Sequence, residues 1–121
     1  MKILSFLAMG VLLLANIDHS KVRYGDITTF EEERNDKVGT IESKQVYYKI
    51  PAYQKVRTGE YRKGTAKYTN AMRESTMEYR RVLKATAKEK DLKLIVEAGG
   101  ISDYPTTDIT PTAISNLNFN F

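Results

Sequence analysis

Residues 51–90 read PAYQKVRTGEYRKGTAKYTNAMRESTMEYRRVLKATAKEK, and the fold turns on how this stretch is arranged. It permits helix almost throughout and carries eleven Lys/Arg against four Asp/Glu, a net +7. The whole chain is +4, so the remainder is −3. A basic arm on a mildly acidic remainder points to an anionic partner, or to a client with acidic patches. From Tyr61 a stripe recurs at steps of three and four: Tyr61, Thr65, Tyr68, Met72, Ser75, Tyr79, Val82, Thr86. The spacing is that of a heptad seam, but hydroxyls stand where a tight coiled coil places Leu and Ile. Such a face suits either ordinary packing on a neighbour or contact with partners of varied shape, since Met adapts and Tyr is amphipathic.

Length decides between arrangements. An unbroken helix of these 40 residues would run roughly 60 Å at 1.5 Å per residue. A compact body of about 100 residues has a radius of gyration near 13 Å. The helix would then project and hold its flanking strands apart. Either it folds back into a hairpin, or the strands belong to different parts of an oligomer. The weak point is between Arg57 and Thr65, where Gly59 and Gly64 each cost about 1 kcal/mol in a helix interior.

Outward from this stretch, residues 37–42 (KVGTIE) read as a strand. Ser43 is a candidate cap for a short helix carrying Val46, Tyr47 and Ile50, which Pro51 ends. On the far side, residues 92–97 (LKLIVE) form the most strand-like run in the chain. Its continuous apolar core implies burial on both faces. Residues 98–100 (AGG) signal a turn and 101–104 a return strand, which predicts a β-hairpin over 92–104. Thr110 followed by Pro111 predicts a cap and a short C-terminal helix with Ala113, Ile114 and Leu117 inward. The expected class is α+β: a small β body, a long and possibly hairpinned helical arm over 51–90, and a short closing helix.

The front of the 121-residue chain is different. Lys2 precedes an apolar run over residues 3–15, the layout of a secretory signal peptide cleaved after Ala15. The run is short for a spanning helix, which needs about 20 residues. An uncleaved membrane-surface anchor is the alternative. Residues 16–36 read as a polar linker, with the acidic cluster Glu31, Glu32, Glu33 and Asp36 lacking calcium-loop spacing. The folded domain is then 37–121. Export removes the protein from ATP and disfavours nucleic acid as a partner of the basic arm.

There is no cysteine, and the only histidine, His19, lies in the linker. No phosphate loop, nucleophilic triad or metal-ligand spacing is present, and Glu74 and Glu78 sit among arginines as surface ion pairs. The expectation is a non-enzyme with neither cofactor nor metal. The residues that suit client contact are Tyr61, Tyr68, Met72 and Tyr79, with Arg73, Arg80 and Arg81 supplying charge.

Two segments together carry a resemblance. Residues 83–117, LKATAKEKDLKLIVEAGGISDYPTTDITPTAISNL, resemble the C-terminal part of the Skp (OmpH-like) family of periplasmic chaperones. The matching features are the run Lys88 to Val96, Tyr104, and Asp108-Ile109-Thr110. Residues 37–56, KVGTIESKQVYYKIPAYQKV, are similar to that family's first strand and short helix before a proline-led long helix. The resemblance implies a periplasmic homotrimer whose helical tentacles hold unfolded outer-membrane proteins without ATP. It implies no catalytic residues. The arm here is much shorter than that family's and would enclose a smaller cavity. Three functions compete: a holdase for outer-membrane or envelope proteins, a structural adaptor that keeps the oligomeric body without holdase activity, or a basic helix that binds anionic lipid at a membrane surface or nucleic acid, the latter disfavoured by export.

Overall fold

The computed structural model describes residues 15–119, so the apolar run assigned to a signal peptide lies almost wholly outside the described residues. No described helix is long and apolar enough to cross a membrane. The elements in order are β1 (Asn16–Ile17), β2 (Val22–Tyr24), β3 (Val38–Ile41), α1 (Ser43–Lys49), α2 (Pro51–Arg57), α3 (Ala66–Lys90), β4 (Leu94–Glu97), β5 (Ile101–Ser102), β6 (Thr107–Asp108) and α4 (Thr110–Ser115). The fold is α+β.

Strands β3 and β4 are parallel neighbours, with Val38 opposite Leu94 and Ile41 opposite Glu97. Parallel neighbours need a long crossover, and α1, α2 and α3 provide it. The crossover folds back between Thr58 and Thr65, within the interval that the two glycines marked. Gly59 and Gly64 have φ of +83° and +91°, a region glycine enters without steric cost. Thr65 then caps α3 by accepting the Tyr68 N–H at 3.2 Å. Pro51 sits in the first turn of α2, and Ile50 before it is extended at φ −79°, ψ 120°.

The arm does not project freely. α2 packs along α3. The inward face of α3 comprises Ala71, Ser75, Tyr79, Val82, Leu83, Thr86 and Ala87, all buried. Half the predicted stripe (Ser75, Tyr79, Val82, Thr86) is thus packing surface. Fully burying a residue such as Val82 or Leu83 contributes about 1.5–3 kcal/mol, and the sheet lies within reach, so the helix lies down on the body.

β4 is central, in the order β2-β4-β3-β6. Leu94, Ile95 and Val96 are fully buried, as the continuous apolar run implied. Side chains alternate along a strand, and β4 serves two cores. Ile95 joins α1, α3 and α4 through Val46, Leu83 and Ala113. Leu94 and Val96 join Val38 on the other side, covered by Ile17, Val22, Phe30, Ile101 and Tyr104.

Three local expectations are corrected. Residues 16–36 are not a linker. They supply β1, β2 and part of the cover on the second core, where the Phe30 and Tyr104 rings meet edge to face at 5.2 Å. Their polar, aperiodic appearance reflects short elements that bury one side chain at a time. The 92–104 hairpin also rearranges. The turn forms, with Gly100 N–H donating to the Glu97 carbonyl, but β5 pairs with β1. Both edges of β4 are already taken, by β2 antiparallel and β3 parallel, which leaves no edge for a return strand. Finally, Ser43 and Thr110 are first helical residues rather than caps. Thr110 Oγ1 accepts the Glu42 N–H at 3.0 Å, and Asp108 accepts the Thr110 N–H.

Candidate functional site

The crossover creates a groove. Between α2, the Thr58–Thr65 turn and the start of α3 lies a cavity of about 400 Å³, with Pro51, Ala52 and Ala71 small enough to leave it open. Tyr61 and Lys67 form its wall, the ammonium 5.8 Å from the ring centroid. Lys55 on the opposite rim pairs with Glu60 at 3.3 Å. A second cavity of about 490 Å³, between Ile50, Met77 and Arg81, shares Ala52 and Glu74 with the first. Together they form one track along the hairpin. Met77 lines it at 63% exposure, a large apolar side chain left in solvent.

The seven residues singled out in the sequence scatter relative to this track. Tyr61 lines the first cavity and Arg81 the second. Arg81 donates to both Glu78 oxygens at 2.8 Å and to the Asn116 carbonyl at 2.9 Å, fastening the chain after α4 to α3. Those bonds hold the Glu78 carboxyl below its ordinary pKa. Tyr68 and Met72 are half-buried on α3 and line neither cavity. Arg73 is exposed and donates to Asn70 at 2.9 Å, and Arg80 is exposed. Tyr79 is 7% exposed and belongs to the core.

Tyr79 belongs instead to a polar clasp. Glu97, at the end of β4, accepts the Ser43 N–H at 3.0 Å, the Ser43 hydroxyl, and Arg23 Nε at 3.0 Å. The single Ser43 proton goes to Glu97, so the Tyr79 hydroxyl donates to Ser43 Oγ. Burial pushes the Tyr79 phenol above its ordinary value, which keeps that donor protonated. Partial burial alone would raise Glu97. The Ser43 and Arg23 bonds outweigh it, and the net shift is downward. The clasp joins β2, β4, α1 and α3 at one point.

From Tyr79 a line of rings leads outward. Tyr47 stacks on Tyr79 at 4.7 Å, Tyr53 meets Tyr47 edge-on at 5.4 Å, and Tyr48 stacks with Tyr53 at 6.2 Å. Tyr48 is at the surface, 36% exposed, with Arg57 Cζ 4.7 Å and Lys44 Nζ 5.6 Å from its centroid. Lys44, Tyr48, Tyr53 and Arg57 are not among the residues that the sequence marks for contact. Only the Lys44/Tyr48 pair, at i,i+4 on one helix, carried a local signal; Arg57 meets Tyr48 across the break at Pro51, nine residues on.

Among the described residues no group of three or more His, Cys, Asp or Glu could hold a metal ion. No protein-family model, curated protein or solved structure matches the chain.

Proposed function

We propose that this is an ATP-independent, chaperone-like protein of the bacterial periplasm, a short-armed relative of the Skp (OmpH-like) chaperones, which holds unfolded outer-membrane or envelope proteins. The observation that supports it best is the open track along α2 and α3. It offers Met77 and Tyr61 for apolar contact beside Lys55, Lys67 and Arg81. The basic hairpin attracts acidic clients, and the adaptable Met and Tyr contacts tolerate varied sequence. By the same resemblance the protein assembles as a homo-oligomer, a trimer, which light scattering would measure. It acts without catalytic residues, cofactor or metal.

The burial of α3 favours a second reading, an adaptor that keeps the oligomeric body and has lost the holding arm. One experiment separates the two. The exported form is added to an unfolded β-barrel protein on dilution from denaturant, and light scattering follows aggregation. A holdase suppresses scattering in proportion to its concentration, less so at high salt. No suppression at any ratio, with a single stoichiometric partner in a pull-down, establishes the adaptor.

A further inference from the structure

We propose that Lys44, Tyr48 and Arg57 form a carboxylate-binding site for an acidic segment of a polypeptide partner. It lies on α1 and α2 and shares no residue with the groove. Two cations converge on one tyrosine ring, at 4.7 and 5.6 Å from its centroid, so they are no further apart than about 10 Å, the sum of those distances. Like charges so close repel each other, and the negative face of the ring holds them. Among the described residues neither has a carboxylate within ion-pairing distance, whereas neighbouring Lys55 is paired with Glu60. Residues 43–57 contain Lys44, Lys49, Lys55 and Arg57 and no acidic residue at all.

The site is built rather than loose. Tyr48 is backed by Tyr53, Tyr47 and Tyr79 down to the core. Its carbonyl accepts from Gln54 Nε2 at 3.2 Å, which ties α1 to α2. Arg57 lies over the ring with its planar guanidinium free, among the described residues, of any carboxylate, and a guanidinium binds a carboxylate in a fork.

The geometry selects among anionic partners. A nucleic-acid base needs an uncovered aromatic face to stack on, and the Tyr48 ring already has Arg57, Lys44 and Tyr53 against it. A membrane surface favours apolar side chains that protrude beside the cations, and Tyr47 and Tyr53 turn inward, half-buried. An acidic segment needs only carboxylates at matching spacing. In an extended chain, residues i and i+2 are about 6.6–6.8 Å apart on one face, within the reach of the two cations.

This deepens the holdase reading by naming where a client's carboxylates land. It is tested without an aggregation assay, so either can fail alone. Binding of a fluorescent, glutamate-alternating peptide to the full protein is followed by anisotropy. Lys44→Gln with Arg57→Gln should weaken binding by about tenfold or more, the loss expected on removing charge-assisted contacts. Tyr48→Leu, which keeps both charges but removes the ring that gathers them, should also weaken it, and Tyr48→Phe should not. Lys84→Gln with Lys88→Gln removes the same charge from the exposed side of α3 and should leave affinity within about twofold. An equal loss in that control pair would reduce the effect to net charge and overturn the site. So would no binding by the unaltered protein, or capture of phosphatidylglycerol vesicles or an oligonucleotide through these residues with the peptide ignored.

Discussion

Glu97 shows how one side chain fixes several elements. Its carboxylate faces Ser43 from α1, Arg23 from β2 and, through Ser43, Tyr79 from α3. Glu97→Gln keeps the shape but turns one acceptor oxygen into a donor facing Ser43 or Arg23. The expected cost is about 1–3 kcal/mol, read as a lower midpoint in urea unfolding. The pH dependence follows from the direction of the shift. The folded group titrates below its ordinary value of about 4.5, so the native state binds fewer protons than the unfolded one. Its stabilisation is complete above that value and is lost as pH falls through the folded pKa. Asp18, Asp26, Asp36 and Glu78 are also lowered and shape the acid limb, so the diagnostic is the difference between the two proteins. The gap in stability should be widest at neutral pH and close on acidification. A gap independent of pH would mean the carboxylate charge is irrelevant. Tyr79 makes the companion case. The stripe placed it correctly on one face of α3, but periodicity says which residues share a face and not what that face meets. Tyr79→Phe should cost about 1 kcal/mol through the lost bond to Ser43, read as a lower midpoint in urea unfolding.

At the scale of elements, local signals were legible and partners were not. Pro51 as the helix restart, the break at Gly59 and Gly64, and the end of α3 at Asp91 are set by backbone chemistry that single residues announce. Strand pairing is different. The turn at residues 98–100 is a local fact, but β5's partner comes from residues 16–17, more than 80 positions away, which no short-range pattern encodes. Caps failed for a related reason. Ser43 and Thr110 have the right chemistry, but each hydroxyl is claimed by a distant group, Glu97 in one case and Glu42 in the other. The candidate site divides the same way, since Tyr61 and Arg81 reach the groove while the Tyr48 site needed α1 and α2 placed side by side. The turn can be tested directly. Gly59 and Gly64 have open space around the position a Cβ would take, so an added methyl meets no clash and only the backbone conformation is penalised. Gly59→Ala with Gly64→Ala should destabilise by about 1–2 kcal/mol per site through the positive φ alone. If a continuous α2–α3 helix formed instead, small-angle scattering would show a longer particle. The packing of α3 through Tyr79, Val82 and Leu83 argues for the unaltered shape with a lower melting point.

For the whole molecule, the consequential feature is that β4 has a core on each side, the second roofed by the segment that reads as least structured. Residues 16–36 cover Leu94 and Val96 with Ile17, Val22 and Phe30, and β2 occupies one edge of β4. Without them, Leu94 and Val96 would lose most of their cover and β4 would present an unpaired edge, the template on which other chains add. This sets a clean prediction. A chain starting at Lys37, the boundary composition alone suggests, should fail to fold cooperatively or should aggregate. Burial of three apolar side chains contributes about 1.5–3 kcal/mol each when complete, and domains carry only about 5–15 kcal/mol in total. A milder version, Phe30→Ala, removes the ring that meets Tyr104 and should lower stability by about 2 kcal/mol, less than the 3–5 typical of a fully buried Phe because Phe30 is half-exposed. Thermal unfolding followed by circular dichroism measures both. If the shortened chain melted cooperatively within a few degrees of the full one, residues 16–36 would be the polar connection they resemble, and the second core would contribute nothing. The double core argues for collapse, because β4 cannot be satisfied by the helical face alone.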